Sequence, residues 1–423
     1  MKLLFVLTIL GIALGQLGAI PLGNNMTLYV HDVFLAALLV FAVFTKQIKV
    51  QGALLVPIRF FFSIAIVSLA VNASSFAMTE LGVSSLYLWR WILYSGLYFV
   101  ALEPVISWKQ WLRWTYWSGV LVAGLGLFQY VYYPYLRNLS YLGWDPHLYR
   151  VFSTFLDPNY LSLYLVLTLF LGMYLYDRTV RFVYMFGQLV TFVALLLTYS
   201  RSGFIALLVG VFVYALLQRK LKVVVIGTVV FAALLLVLPK TDGEGVKLFR
   251  TVSTFARIGN WQRGFILIQE SPIFGFGFNT VRYVQQRRGW VDAESIIPSK
   301  AGAGLDDSFQ FLWATTGIVG LLSYLWILVS MGKIFVRLLG NGKTRVLGVI
   351  GISALLSTIV HSQFINSLFY PQILAWWWIV SAALERSFMV GMSHGAQPLS
   401  DSPPHPSRRS LKYSRRLKRS SDR

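Results

Sequence analysis

Twenty-five consecutive residues, 308–332, carry no Asp, Glu, Lys or Arg. That run exceeds the roughly 20 apolar residues a helix needs to cross a hydrocarbon core, and it has many companions. Apolar segments near residues 1–20, 27–45, 53–72, 84–102, 116–134, 157–176, 180–199, 201–217, 223–239, 346–365 and 369–385 bring the expected spans to twelve. In hydrocarbon, backbone groups must be satisfied inside a helix or a closed sheet. The runs do not alternate in the way barrel strands do, so the expected fold is an all-α polytopic membrane protein. Composition agrees, at 57% hydrophobic and 13% charged residues with a mean hydropathy of +0.65. The 14 Trp and 22 Tyr suit aromatic belts at the two interfaces. Cysteine is absent, which excludes disulfides and thiolate metal sites. The opening MKLLFVLTILGIALGQLGAI resembles a signal peptide, but further spans follow at once, so it reads as the first helix.

Lys and Arg in the short connections set the orientation. Lys46 and Lys49, Lys109 and Arg113, Arg178 and Arg181, Arg219 with Lys220 and Lys222, and Lys333 through Arg345 all follow even-numbered spans, which makes those connections cytoplasmic. The connections near 21–27 and 73–83 carry neither residue. Both termini are then inside, and the long 240–305 loop is outside, between the ninth and tenth spans. Residues 1–386 form the expected membrane domain. The 387–423 tail, rich in Ser, Pro, Lys and Arg, is expected to be disordered and drawn to anionic headgroups. Within the fourth span, Arg90 is either a buried partner or a snorkelling side chain.

The 240–305 loop is the one long polar stretch between apolar segments. It holds nine Lys or Arg between Lys240 and Lys300 against five acids. Cations there oppose the topological bias, so they call for a reason other than insertion, and an anionic, lipid-linked substrate supplies one. Arg250 and Arg257 stand seven apart and would share a helix face, and guanidinium forks match phosphate oxygens. Arg263 follows beside Trp261, in the stretch 261–270 that reads as an amphipathic helix on the membrane surface. Gly275 and Gly277 serve either a turn or a phosphate; no strand precedes them, so no nucleotide fold is supported.

Other candidates lie at span ends on the same side. Arg150 and Asn159 flank Asp157 and Pro158, where a helix cap is the competing explanation. Arg201 occupies a tight turn with Gly203. Asp306 and Asp307 stand where the loop re-enters the apolar sequence, either as caps or as a proton acceptor near the arginines. His361 has a packing role as its alternative. No cluster has metal-ligand spacing.

Several stretches, in order, resemble the bacterial O-antigen ligase and polymerase superfamily, which includes WaaL-like ligases and Wzy-like polysaccharide polymerases. Thr154-Phe155 with Pro158-Asn159 is similar to one family segment, and Ser200-Arg201-Ser202-Gly203 to its arginine turn. Arg257 to Trp261 ahead of Pro272-Ile-Phe-Gly275-Phe-Gly277 resembles its loop pattern, and Asp306 through Gly320 its re-entry helix. The resemblance, covering about residues 150–385, implies a GT-C-type membrane glycosyltransferase that works on the outer face of the inner membrane without a metal or other cofactor. It implies an undecaprenyl-pyrophosphate-linked glycan as donor, membrane lipids around it, and a flippase and chain-length regulator as candidate partners; nucleic acid has no part. Arg201, Arg257 and Arg263 would clamp the pyrophosphate, with Arg250 and Arg150 as weaker candidates. Asp306 or Asp307 would be the base, and Trp261, Asn159 and His361 would meet the glycan. Ligases of this family carry a histidine where this chain has Asp306, and an acid there favours the polymerases. The expected function is therefore polymerisation of lipid-linked repeats into surface or exported polysaccharide, with ligation to a lipid or protein acceptor as the alternative. A transporter is the alternative of another class; against it stand the absence of a visible repeat and the concentration of charge at one face.

Overall fold

A computed structural model describes residues 1–23, 26–142, 144–179, 181–238, 246, 252–290 and 304–395. Helix α1 (Lys2–Leu14) leads through a 3-10 turn into the antiparallel hairpin β1 (Ala19–Gly23) and β2 (Met26–Tyr29), in which Ile20 pairs with Leu28 and Pro21 with Thr27. The chain continues through α2 (Val30–Phe44), α3 (Leu55–Val71), α4 (Met78–Leu102), α5 (Trp108–Tyr132), α6 (Pro158–Thr179), α7 (Phe182–Leu196), α8 (Arg201–Leu217) and α9 (Leu221–Val237). Helices α10 (Val252–Glu270) and α11 (Val281–Arg287) follow, then α12 (Ser308–Leu339), α13 (Arg345–His361) and α14 (Pro371–Gly395).

Each apolar segment expected to span is largely helical here, although residues 19–20 and 27–29 belong to the hairpin strands. Among the described residues, three helices are long and apolar enough to cross a membrane: Pro158–Arg178, Ser308–Leu339 and Pro371–Val390. Seven shorter apolar helices of 10–17 residues join them. Large apolar side chains face outward all round the bundle, most densely on α9, where Val225, Ile226, Val229, Val230, Leu236 and Val237 are exposed. Such surface requires an apolar surrounding.

Three departures from the expected boundaries share a cause. Helices α4 and α5 begin before residues 84 and 116, and α14 continues past Arg386 to Gly395. Apolar content marks the part of a helix in hydrocarbon, whereas hydrogen bonding carries the helix on through polar turns at the interface. The hairpin is a departure of another kind, since residues 21–27 read as a plain connection. Arg90 proves to be a half-buried partner: it pairs with Asp32 at 2.9 Å and lies over the rings of Tyr29 and Tyr87.

The bundle packs α8 on α13, α4 on α14, and α12 on both α13 and α3. Helix α12 is interrupted at Gly317, which sits at φ 70° and ψ −177°. The loop after α10 fills the interruption. Phe276 and Gly277 N–H groups donate to the Ala314 and Thr315 carbonyls, both at 2.9 Å, and Ile318 N–H donates to the Pro272 carbonyl at 2.8 Å. Ser68 of α3 closes the joint by hydrogen-bonding the Phe274 and Thr315 carbonyls, each at 2.7 Å. A β-carbon on Gly317 would land on the Ile273 carbonyl, and one on Gly275 on the Thr315 backbone. These two glycines therefore serve a close backbone approach.

Candidate active site

Three helix starts meet at one end of the bundle. Asp157 Oδ1 accepts from the Asn159 and Tyr160 N–H groups at the head of α6, at 2.6 and 3.4 Å. Ser200 Oγ caps α8 by accepting from Gly203 N–H at 3.4 Å. Asp307 Oδ1 caps α12, accepting from Phe309 and Gln310 N–H at 2.7 and 3.1 Å. Helix N-termini present partial positive charge and favour anions.

Helices α6 and α8 are joined through side chains. Ser200 Oγ donates to Asn159 Oδ1 at 3.2 Å, and Ser162 Oγ lies 3.0 Å from Ser200 Oγ. Gly203 permits the contact, because a β-carbon there would strike Ser162. Arg150, 4% exposed, donates from Nε to the Thr198 carbonyl at 2.8 Å and from Nη2 to Asn159 Oδ1 at 3.3 Å. Its guanidinium thus ties the two helix starts together from below.

Helix α10 supplies the opposite wall. Arg257, Asn260, Trp261, Gly264, Leu267 and Ile268 follow the i, i+3, i+4, i+7 spacing of one face. Leu267 and Ile268 are buried with Leu305, Phe311 and Ala314. Asn260 grips the re-entry segment, accepting from the Asp306 N–H at 2.9 Å and donating to the Gly304 carbonyl at 3.1 Å. The segment is held from behind as well, by Ser308 N–H to the Ser362 carbonyl at 2.8 Å.

The charged groups converge in consequence. Burial holds Arg257 below the usual arginine range; Asp306 and Asp157 beside it oppose that effect, and Arg201 adds to it. Burial also pushes the Asp306 carboxyl up to about 6, with Arg257 pulling it down and Asp157 and Asp307 adding to the rise. Asp157 is raised by burial too, against its two backbone N–H donors and Arg150. Arg201, at the first residue of α8, reaches Thr254 Oγ1 of α10 at 3.3 Å. Two guanidiniums and two carboxyls therefore share one electrostatic neighbourhood.

The two adjacent acids have different situations. Asp307 is 6% exposed and its oxygen is engaged by α12, whereas Asp306 caps nothing and faces Arg257. His361 lies beneath, fully buried, close to Arg257 and the Asn159 backbone, with Nδ1 2.7 Å from Ser367 Oγ. Trp261 turns its ring toward Phe364.

Arg263 is not part of this grouping. It stands six residues beyond Arg257, about 120° around the helix, and donates to the Trp290 carbonyl at 3.1 Å. Arg250 lies outside the described residues. Asp157 was read from sequence only as a helix cap; it has that role and also faces Arg257. Its position in a stretch bounded by Arg150 and Asn159, at a helix entrance like that of Asp306, was the available signal. The stacked pair Tyr160 and Tyr370, with ring centroids 4.1 Å apart, lies beside Asp157 and left no periodic trace in the sequence.

The family model described as O-antigen ligase matches residues 186–325, which takes in Arg201, Arg257, Arg263 and both acids of the re-entry segment. The chain is also similar to an O-antigen ligase of Salmonella typhimurium, with 32% identity over 146 residues. That match covers 31% of this chain and 34% of the relative, so the chain spans about a third of the length of the relative it matches. On these matches, the stretch from about residue 186 to residue 325 is similar to the O-antigen ligase family.

Proposed function

We propose that this chain transfers a glycan from a polyprenyl pyrophosphate to a sugar hydroxyl, polymerising undecaprenyl-pyrophosphate-linked repeats at the outer face of the inner membrane. The observation that carries the reading is Asp306 set beside Arg257, with Arg201 and three helix N-termini around the same space. The acceptor hydroxyl oxygen attacks the anomeric carbon and its proton passes to the Asp306 carboxylate. The bond from that carbon to the phosphate oxygen breaks, its electron pair leaves with the pyrophosphate, and configuration inverts. Arg201, Arg257 and the helix ends offset the charge that develops on the leaving group, so no step needs a metal.

Arg150 and Asp307 enter this scheme as positioning residues, Arg150 through Asn159 and Asp307 through the start of α12. Arg263 binds farther along the loop, and Trp261, Asn159 and His361 shape the glycan side. Both termini lie in the cytoplasm in this reading, as the distribution of Lys and Arg requires. A flippase that delivers the donor and a regulator of chain length are its partners. The second reading is ligation to a lipid or protein acceptor, favoured by the likeness to an O-antigen ligase. Reconstitution with a lipid-pyrophosphate oligosaccharide separates the two: a ladder from donor alone supports polymerisation, and a single shift that needs an added acceptor supports ligation. Absence of transfer in both arms from folded protein would refute glycan transfer.

A further inference from the structure

A cavity of about 590 Å³ lies between α2, α3 and α4, away from the site above. Its volume is within the range of roughly 300–1,000 Å³ typical of small-molecule sites. Its walls are mostly apolar, with Leu39, Leu55, Ile58, Ile92 and Phe99 among them, and the β2 residue Leu28 lines it as well. Along α4 it runs from Val83 to Phe99, sixteen steps and so about 24 Å at the helical rise. A cavity so long and so apolar fits an extended hydrocarbon chain.

The two ends differ in charge. At the hairpin end the Arg90 guanidinium is neutralised by Asp32 at 2.9 Å and also donates to the Thr27 carbonyl at 2.5 Å. At the other end, Arg59 lines the cavity one turn into α3, exposed and with no acidic partner among the described residues. Ile48 and Val50 line the same mouth and alternate with exposed Lys49; exposed Lys46 stands just before them. The nearby acids are Glu103, which accepts the Lys49 backbone N–H at 2.8 Å, and Glu385, which accepts the Ala53 N–H at 2.9 Å; Arg386 stands beside Glu103. Four cations, Lys46, Lys49, Arg59 and Arg386, against two acids leave this mouth positive. It is also the far end of α3 from the proposed active site, since Ser68 and Asn72 at the other end bond the 274–275 loop and Thr315.

We propose that this cavity holds one acyl chain of an anionic glycerophospholipid, with the phosphate seated on Arg59 and attracted by Lys46 and Lys49. An exposed arginine suits this role because its fork bonds phosphate oxygens in pairs. The site is independent of glycan transfer.

The test is the thermal midpoint of detergent-purified protein titrated with phosphatidylglycerol, phosphatidylcholine or inorganic phosphate. Phosphatidylglycerol should raise the midpoint of the unmodified protein, while phosphatidylcholine and phosphate alone should leave it unchanged. Arg59→Gln should need at least tenfold more phosphatidylglycerol for the same shift. Ile92→Trp, which fills the cavity and leaves the charges in place, should respond as weakly. An undiminished response in Arg59→Gln, or an equal response to phosphatidylcholine, overturns the headgroup assignment. A full response in Ile92→Trp, or to phosphate alone, overturns the seating of a chain in the cavity.

Discussion

Replacing Asp306 with Asn should make the protein more stable and inactive at once. Burial raises the Asp306 carboxyl from 3.8 to about 6, and a shift of about two units corresponds to about 3 kcal/mol. The sign follows from linkage: a carboxyl raised in the folded state favours its neutral form there. Its stabilising contribution is complete below about pH 4 and is lost as pH rises through about 6. At pH 7.5 the ionised carboxylate therefore works against folding, and Asn removes that opposition without leaving a cavity. The thermal midpoint of Asp306→Asn in detergent should exceed that of the unmodified protein at pH 7.5, and the difference should shrink toward zero near pH 4. Turnover by the unmodified protein should rise with pH through about 6. A base of that pKa is only about one-tenth ionised at pH 5, against about nine-tenths for an ordinary aspartate. An Asn variant no more stable than the parent at pH 7.5, together with turnover flat from pH 8 to pH 5, would refute both the raised carboxyl and its role.

Three further outcomes are expected. Arg201→Ala and Arg257→Ala should each lower transfer at least 100-fold, on the order of 3 kcal/mol of leaving-group stabilisation, with membrane insertion unchanged on gradient fractionation; normal product from both would remove the clamp. Gly317→Ala should lower the thermal midpoint by the equivalent of roughly 1–3 kcal/mol, because it imposes a left-handed backbone on alanine and a clash with Ile273; an unchanged midpoint would mean the joint with the 271–277 loop yields easily. Ser68→Ala should cost about 1–3 kcal/mol by stripping a donor from two buried carbonyls, measured in the same way.

Helices were legible in the sequence because apolar side chains in long runs leave hydrocarbon no other solution. Helix ends were less legible: Lys109 and Arg113 continue α5 into the interface, where polarity and helicity coexist. In the candidate site, the grouping of Arg257 with Asp306 could be expected from the placement of both between the same two apolar spans, though they stand 49 residues apart. The part played by Asn260, which fixes the Asp306 backbone, could not, since an amide has no periodicity or charge to mark it. The separation of Arg263 from Arg257 follows from helix geometry once α10 is known to begin at Val252, nine residues ahead of the expected start at Trp261. Gly275 and Gly277 were open between turn and phosphate; the docking of the loop against α12 decides for backbone approach at Gly275.

The interruption of α12 at Gly317 also separates two mechanical duties. The upper turns, with Asp306 at their head, are fastened to α10 through Asn260 and the 271–277 loop, while the longer lower part packs on α3 and α13. The spacing between Arg257 and Asp306 is therefore set by hydrogen bonds on the near side of residue 317, in a unit whose backbone ladder is separate from that of the lower helix.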